Sequence, residues 1–205
     1  MISPRIRGAN AESLPSWTIG SLPRTSWRLE DWGTVCLELL ALTGQRREEV
    51  AGLPWEELDL AQRIWTIPKA RTKNAKAHIV HLSRQALTVL KRAGQRGPLV
   101  FSLLGTKRFQ HFTHAKRRLD QLSGVTRWRL HDLRRTCVSG MARLGVAPHV
   151  ADKILNHQSG TISGVAAVYQ RHEFLAERRT ALDLWGAHVD QLLRERSHEQ
   201  LKKVA

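Results

Sequence analysis

The run WRLEDWGTVCLELLAL, from Trp27 to Leu42, carries apolar side chains on almost every side of a 3.6-residue period. It predicts a mostly buried helix that stops at Thr43-Gly44. A shorter helix follows over residues 45–52, with Pro54 just beyond it. The period then changes from helical to alternating. RIWTIP (63–68) and AHIVHL (77–82) read as two strands, and the polar stretch RTKNAK between them, with Asn74, makes them an antiparallel hairpin. Ser83 is placed to cap a helix running to about Ala93, which Gly94 and Gly97 end. Residues 98–102 read as a short strand or connector. Further helices are expected over 109–122, 131–144 (ended by Gly145) and 147–155, where Pro148 suits a first turn. A flexible loop is expected at 159–164, a short helix at 165–171 and a longer one over 173–193. Residues 1–27, with Pro4, Pro15 and Pro23, read as an irregular lead-in, and the charged residues 194–205 as a fraying tail. The sum is an α+β chain, mainly α-helical, with a small antiparallel β-sheet and one domain over residues 28–193.

Composition narrows the class. At 41% hydrophobic and 25% charged residues the 205-residue chain can build a packed core. The formal net charge of +15 repels itself unless something offsets it, and nucleic acid is the commonest partner for such an excess. The charge is uneven. Between Lys107 and Arg135 lie nine Lys or Arg and two acids, Asp120 and Asp132. This segment is the expected DNA-facing surface, through Lys107, Arg108, Lys116, Arg117, Arg118, Arg127, Arg129 and Arg135. Cys36 and Cys137 stand far apart in apolar or helical settings, so no disulfide framework is implied. No signal peptide or bilayer-spanning run is visible, and no membrane partner is expected. A cytoplasmic protein is the expectation.

Three clusters carry candidate chemistry. In TGQRREEV, Arg46 opens a helix with Glu49 three residues on, on the same face. In HDLRR, His131 and Arg134 share a helix face, pairing a group that titrates near neutrality with a fixed cation. In LNHQSGTISGVAAVYQRH, His157 precedes Tyr169, the one tyrosine of the chain. A phenol has a pKa of about 10 and is a poor nucleophile unless cations or a base assist it. Taken singly, each cluster also fits a plain role: a surface ion pair, a helix start and a core tyrosine. Together they suit phosphodiester cleavage, whose transition state spreads negative charge over oxygens that guanidinium forks can hold.

The ordered set of TGxRxxE, a T-K pair in a hairpin turn, H-x-x-R, L-N-H and a tyrosine about a dozen residues later resembles the catalytic constellation of the tyrosine recombinases (phage integrase family). The likeness is to prophage and genomic-island integrases, through WRLHDLRRT and LNH…GVAAVYQRH, and covers about residues 35–187. It implies the tyrosine recombinase catalytic-domain fold and site-specific recombination of mobile DNA. It implies that Tyr169 attacks the scissile phosphate to form a 3′-phosphotyrosine, and that Arg46 and Arg134 clamp the non-bridging oxygens. Lys73 would protonate the leaving 5′-oxygen, with Asn74 and Lys76 close enough to leave slight ambiguity. His131 would serve as the base, His157 would bind the phosphate and Glu49 would support the site. No metal or other cofactor is implied. The partners implied are double-stranded attachment sites and further protomers in a tetrameric synapse.

Two features depart from the family pattern. His81 stands where proline usually precedes the Leu-Ser after the hairpin. Residues 1–27 are too few for the helical core-binding domain usual in the family, so a fragment lacking that domain is expected. The alternative is a non-catalytic or decayed DNA-binding remnant. A metal-dependent nuclease is disfavoured because the histidines show no HExxH or HxxxH pair. A type IB topoisomerase fits the LNH and VYQRH details less well. The stripe of Trp185, Val189, Leu192 and Leu193 suits either packing within the chain or docking on a neighbouring protomer.

Overall fold

The computed structural model describes the backbone of residues 29–102, 106–157 and 172–204, and the side chains of residues 33–102, 106–157 and 172–195. The expected lead-in 1–27, the loop 159–164 and the short helix 165–171 lie outside these residues, and so does Tyr169.

Helix α1 (Leu29–Thr43) is the central element, and every described side chain in it is buried. Over its described side chains the near-continuous apolar run leaves no solvent face, as expected of a helix covered on all sides. It packs against α3 (Arg84–Ala93), α4 (Phe112–Ser123), α5 (Leu130–Arg143) and the last helix, α7 (Leu175–Val204). Two short helices complete the set: α2 (Arg47–Ala51) follows α1, and α6 (Pro148–Ile154) begins at its proline. Ser83 caps α3, its hydroxyl accepting from the Ala86 N–H at 3.3 Å.

The sheet has three antiparallel strands in the order β1 (Leu58–Asp59), β2 (Ile64–Ile67), β3 (His78–His81). Strands β2 and β3 form the expected hairpin, with Ile64 opposite His81 and Ile67 opposite His78. Trp65 and Ile67 point into the core while Thr66 faces out, the period-2 alternation that marked the segment. Strand β1 was not legible beforehand, because two residues carry no periodicity. Residues 98–102 form a connector with one bridge, Pro54 to Leu99, rather than a strand.

Two helix limits differ from expectation. Helix α4 starts at Phe112, not 109, because the Phe109 N–H donates to the Ala51 carbonyl at 3.1 Å and pins that residue to the end of α2. Helix α7 runs on to Val204 instead of fraying after Leu193. Pairs one turn apart support the continuation: Arg194 with Asp190 at 2.9 Å and Gln191 with Glu195 at 2.8 Å. Of the stripe on α7, Trp185, Val189 and Leu193 pack within the chain. Trp185 is fully buried against Gly140 of α5, where any side chain would collide with the indole. Its Nε1 donates to the Ala41 carbonyl at 2.9 Å, satisfying an acceptor that the end of α1 leaves open. No described helix is long and apolar enough to cross a membrane.

Candidate functional site

The site is assembled where α1 ends. Gly44 has φ +64°, which favours glycine, and a Cβ there would lie a tight 3.1 Å from Cys137 Sγ and 3.2 Å from a Leu155 methyl. This tight exit brings Gln45 and Arg46 onto the C-terminal end of α6. Arg46 is the N-cap of α2. Its backbone N–H donates to Glu49 Oε2 at 2.9 Å, and its Nη1 lies 3.2 Å from Glu49 Oε1. One carboxylate, almost fully buried, thus caps the helix and orients the guanidinium.

The last carbonyls of α6 and the residues after it hold the cations in place. Arg46 Nη2 donates to the Asn156 carbonyl at 3.3 Å. Arg134, only 7% exposed, donates from Nη2 to the Leu155 carbonyl and from Nη1 to the Gly44 carbonyl. The Ile154 carbonyl accepts from Gln45 Nε2 and from His78 Nε2, each at 3.0 Å. A helix C-terminus presents unpaired carbonyls and partial negative charge, which is why three successive residues there gather donors from four side chains.

Arg46, His131 and Arg134 line one cavity of about 210 Å³, together with Arg47 and Gln45. Each of the two held arginines spends two of its five N–H donors on the contacts above. Burial, and then the like charge of Arg46, pull Arg134 down to about 10, with Glu49 opposing. The guanidinium remains charged at neutral pH. Burial also holds His131 below the ordinary histidine value; Arg135 and Arg134 add to this, Asp132 opposes it and His157 adds a little more. His131 is therefore a neutral imidazole at neutral pH, able to accept a proton.

His157 is exposed near His131, its Nδ1 3.3 Å from Asp152 Oδ1. Lys73 lies on the hairpin turn, exposed, between Thr72 and Asn74. Thr72 is buried and its hydroxyl donates to the Lys76 carbonyl at 2.8 Å. Asn74 Nδ2 donates to Asn156 Oδ1 at 2.6 Å, and Asn156 Nδ2 donates back to Asn74 Oδ1 at 3.2 Å. Asn156 has φ +52°, a left-handed conformation that asparagine tolerates. The geometry therefore joins Arg46, His131, Arg134 and His157 in one region and tethers the Lys73 turn to it. Tyr169 lies outside the described residues.

The start of α7 is fixed to the same region. Arg178, buried, donates from Nη2 to the Ile79 carbonyl and lies 3.5 Å from His78 Nδ1. Burial, with the charge of Arg178, pushes His78 down to about 3, so it stays neutral and donates steadily to Ile154. Gln45, His78, Asn156 and Arg178 were not singled out from the sequence. Their partners are backbone carbonyls or residues some eighty to a hundred positions away; Asn156 stands inside the L-N-H motif, but nothing local marks its pairing with Asn74.

Most of the basic residues expected to face DNA are exposed: Lys107, Arg108, Arg117, Arg118, Arg127, Arg129 and Arg135. Arg108 pairs with Glu48 at 3.1 Å and Arg135 with Asp132 at 3.3 Å, both in solvent. Lys116 differs. It is half-buried, 2.7 Å from Asp120 Oδ2 and 4.9 Å from the centre of the Trp128 ring, so its charge is used within the fold. His81, in the place of the usual proline, lies 3.2 Å from Asp183 of α7. Among the described residues no cluster of three or more His, Cys, Asp or Glu could hold a metal ion.

Comparison with known proteins gives a consistent set of likenesses. The model of the phage integrase family matches residues 26–174. A prophage integrase, IntA, of Escherichia coli strain K12 is 28% identical over 166 residues; the match takes in 74% of this chain and 38% of the length of that integrase. An integrase from mycobacterium phage Brujita superposes with a TM-score of 0.58 at 17% identity, over 78% of this chain and 52% of the other. A XerA recombinase superposes with a TM-score of 0.50 at 21% identity, over 71% and 63%.

Proposed function

The chain belongs to the phage integrase family and has the tyrosine recombinase catalytic-domain fold, and on that premise we propose that it breaks and rejoins DNA strands through a covalent phosphotyrosine in site-specific recombination. The observation that carries this reading is the cavity in which two restrained guanidiniums and a neutral imidazole meet. A phosphodiester placed there would have its non-bridging oxygens held by Arg46 and Arg134, with His157 adding a hydrogen bond. Tyr169 Oη attacks phosphorus and gives its proton to His131. The bond from phosphorus to the 5′-oxygen breaks, and the leaving oxygen takes a proton from Lys73. Rejoining runs the steps backward: a 5′-hydroxyl attacks the phosphotyrosine, Lys73 takes its proton and His131 returns one to Tyr169. The phosphodiester energy is kept in the covalent link, so no nucleotide cofactor is needed.

The anchoring of α7 supports the role of Tyr169. Only two residues separate it from His172, and Arg178, six residues further on, is tied to His78 beneath the two arginines. Residues 28–193 form the catalytic unit in this reading, acting in the bacterial cytoplasm on double-stranded attachment sites. Four such events in two sequential pairs, within a tetrameric synapse, would exchange strands through a Holliday junction.

The test is a nicked duplex carrying the end sequences of the mobile element that encodes the chain. The chain should form an adduct with it that survives denaturant, and Tyr169→Phe should form none while melting at the same temperature. An adduct with the Phe variant would refute the nucleophile. Salt-sensitive binding with no adduct at all would favour a DNA-binding remnant instead.

A further inference from the structure

We propose that Asn74 and Asn156 are positioning residues whose reciprocal amide pair holds the hairpin turn over the phosphate cavity and so aims Lys73. The inference rests on the reading of Lys73 as the acid for the leaving oxygen. The two side chains donate to each other reciprocally, at 2.6 and 3.2 Å, and Asn74 Nδ2 lies 3.4 Å from the Asn156 carbonyl. That same carbonyl accepts from Arg46 at 3.3 Å. One residue thus touches both the phosphate clamp and the hairpin turn.

Lys73 is bracketed by restraints on its two neighbours. On one side, buried Thr72 closes the turn by donating to the Lys76 carbonyl at 2.8 Å. On the other, Asn74 Oδ1 also accepts the Lys76 N–H at 3.3 Å, and the Ala75 N–H donates to the Thr72 carbonyl at 3.3 Å. The turn is therefore stiff within itself, and the amide pair is its described side-chain link to the segment Ile154–His157. A lysine has a long flexible stem, so where its ammonium spends its time depends on where its Cα is held. Without the pair, the turn keeps the Thr72 bonds that close it but loses its side-chain tether to the residue whose carbonyl binds Arg46.

The experiment measures single-turnover adduct formation on two suicide duplexes, one with the ordinary 5′-oxygen at the scissile position and one with a 5′-bridging sulfur. A thiolate leaves without a proton, so the sulfur substrate removes the need for an acid and for its placement. Lys73→Ala is the control for the acid itself and should be slow on oxygen and restored on sulfur. Asn74→Ala should slow the oxygen substrate on the order of tenfold to hundredfold, the scale of a misplaced catalytic group, and be restored on sulfur. Asn156→Gly keeps the left-handed backbone and the carbonyl that binds Arg46 while deleting the amide, and should behave alike. The double variant should be no slower than the slower single one, because both remove the same amide pair. If Lys73→Ala is restored on sulfur but Asn74→Ala reacts at the unmodified rate on oxygen, or stays slow on sulfur, the positioning role is wrong and the acid assignment stands. If Lys73→Ala is not restored on sulfur, the acid assignment fails and takes this inference with it.

Discussion

Replacing Arg134 by Met separates what this residue does for folding from what it does for chemistry. The side chain is 7% exposed and bonds the carbonyls of Gly44 and Leu155. Removing it orphans two acceptors, at roughly 1–3 kcal/mol each where they stay buried. The charge itself works against folding. A guanidinium drawn down to about 10 by burial and by Arg46 carries about 3 kcal/mol of unfavourable charging free energy at neutral pH. The unfolded chain bears no such penalty, so Met relieves it at any pH where the arginine is ionised. The two effects nearly offset, leaving a net destabilisation of at most about 3 kcal/mol, or roughly 10 °C in Tm for a chain of this size. Cleavage should respond differently. Loss of a preorganised donor to the transition-state oxygens costs on the order of a hundredfold or more. A thermal melt and a suicide-substrate cleavage assay on one preparation read both quantities. Inorganic phosphate should raise the Tm of the unmodified chain above an ionic-strength-matched chloride control, and Arg134→Met should lose most of that rise. Cleavage within tenfold of the unmodified chain, or a variant that fails to fold, would refute the reasoning.

The remaining predictions concern charge. Because His131 is held below the ordinary histidine value, the acid limb of the cleavage-rate profile should fall below about 6.5. Asp132→Asn removes the charge that raises it and should move the limb lower; Arg135→Gln removes a repulsion and should move it higher, as imidazole NMR titration of the same variants would check. Neutralising Arg117 and Arg118 should flatten the dependence of log affinity on log salt by up to about 0.9 for each phosphate that is no longer neutralised. Lys116→Gln should leave that slope alone and lower Tm instead, because its partners Asp120 and Trp128 are in the fold. A slope change for Lys116 alone would reverse that assignment.

Much of the fold was legible because its signals are local. The apolar run before Thr43, the glycine at 44, the serine at 83 and the proline at 148 each act on their own helix within a few residues. Where the structure departed, a distant partner had won. Phe109 is taken from helix α4 by the Ala51 carbonyl, and β1 exists only because β2 lies beside it.

The site divides along the same line. The identities and order of Arg46, Lys73, His131, Arg134, His157 and Tyr169 stand in the sequence, since a motif is a statement about residue types at fixed spacing. How the cations are restrained does not, because their partners are carbonyls, and every residue owns one. Only the meeting of the end of α6 with Gln45, Arg46 and Arg134 of α5 selects the carbonyls of Ile154, Leu155 and Asn156, and only the meeting of residues 74 and 156 makes two ordinary asparagines a pair. Chemistry is inherited by residue type and read along the chain. Aim is a property of distances between segments, which exist once the chain has folded.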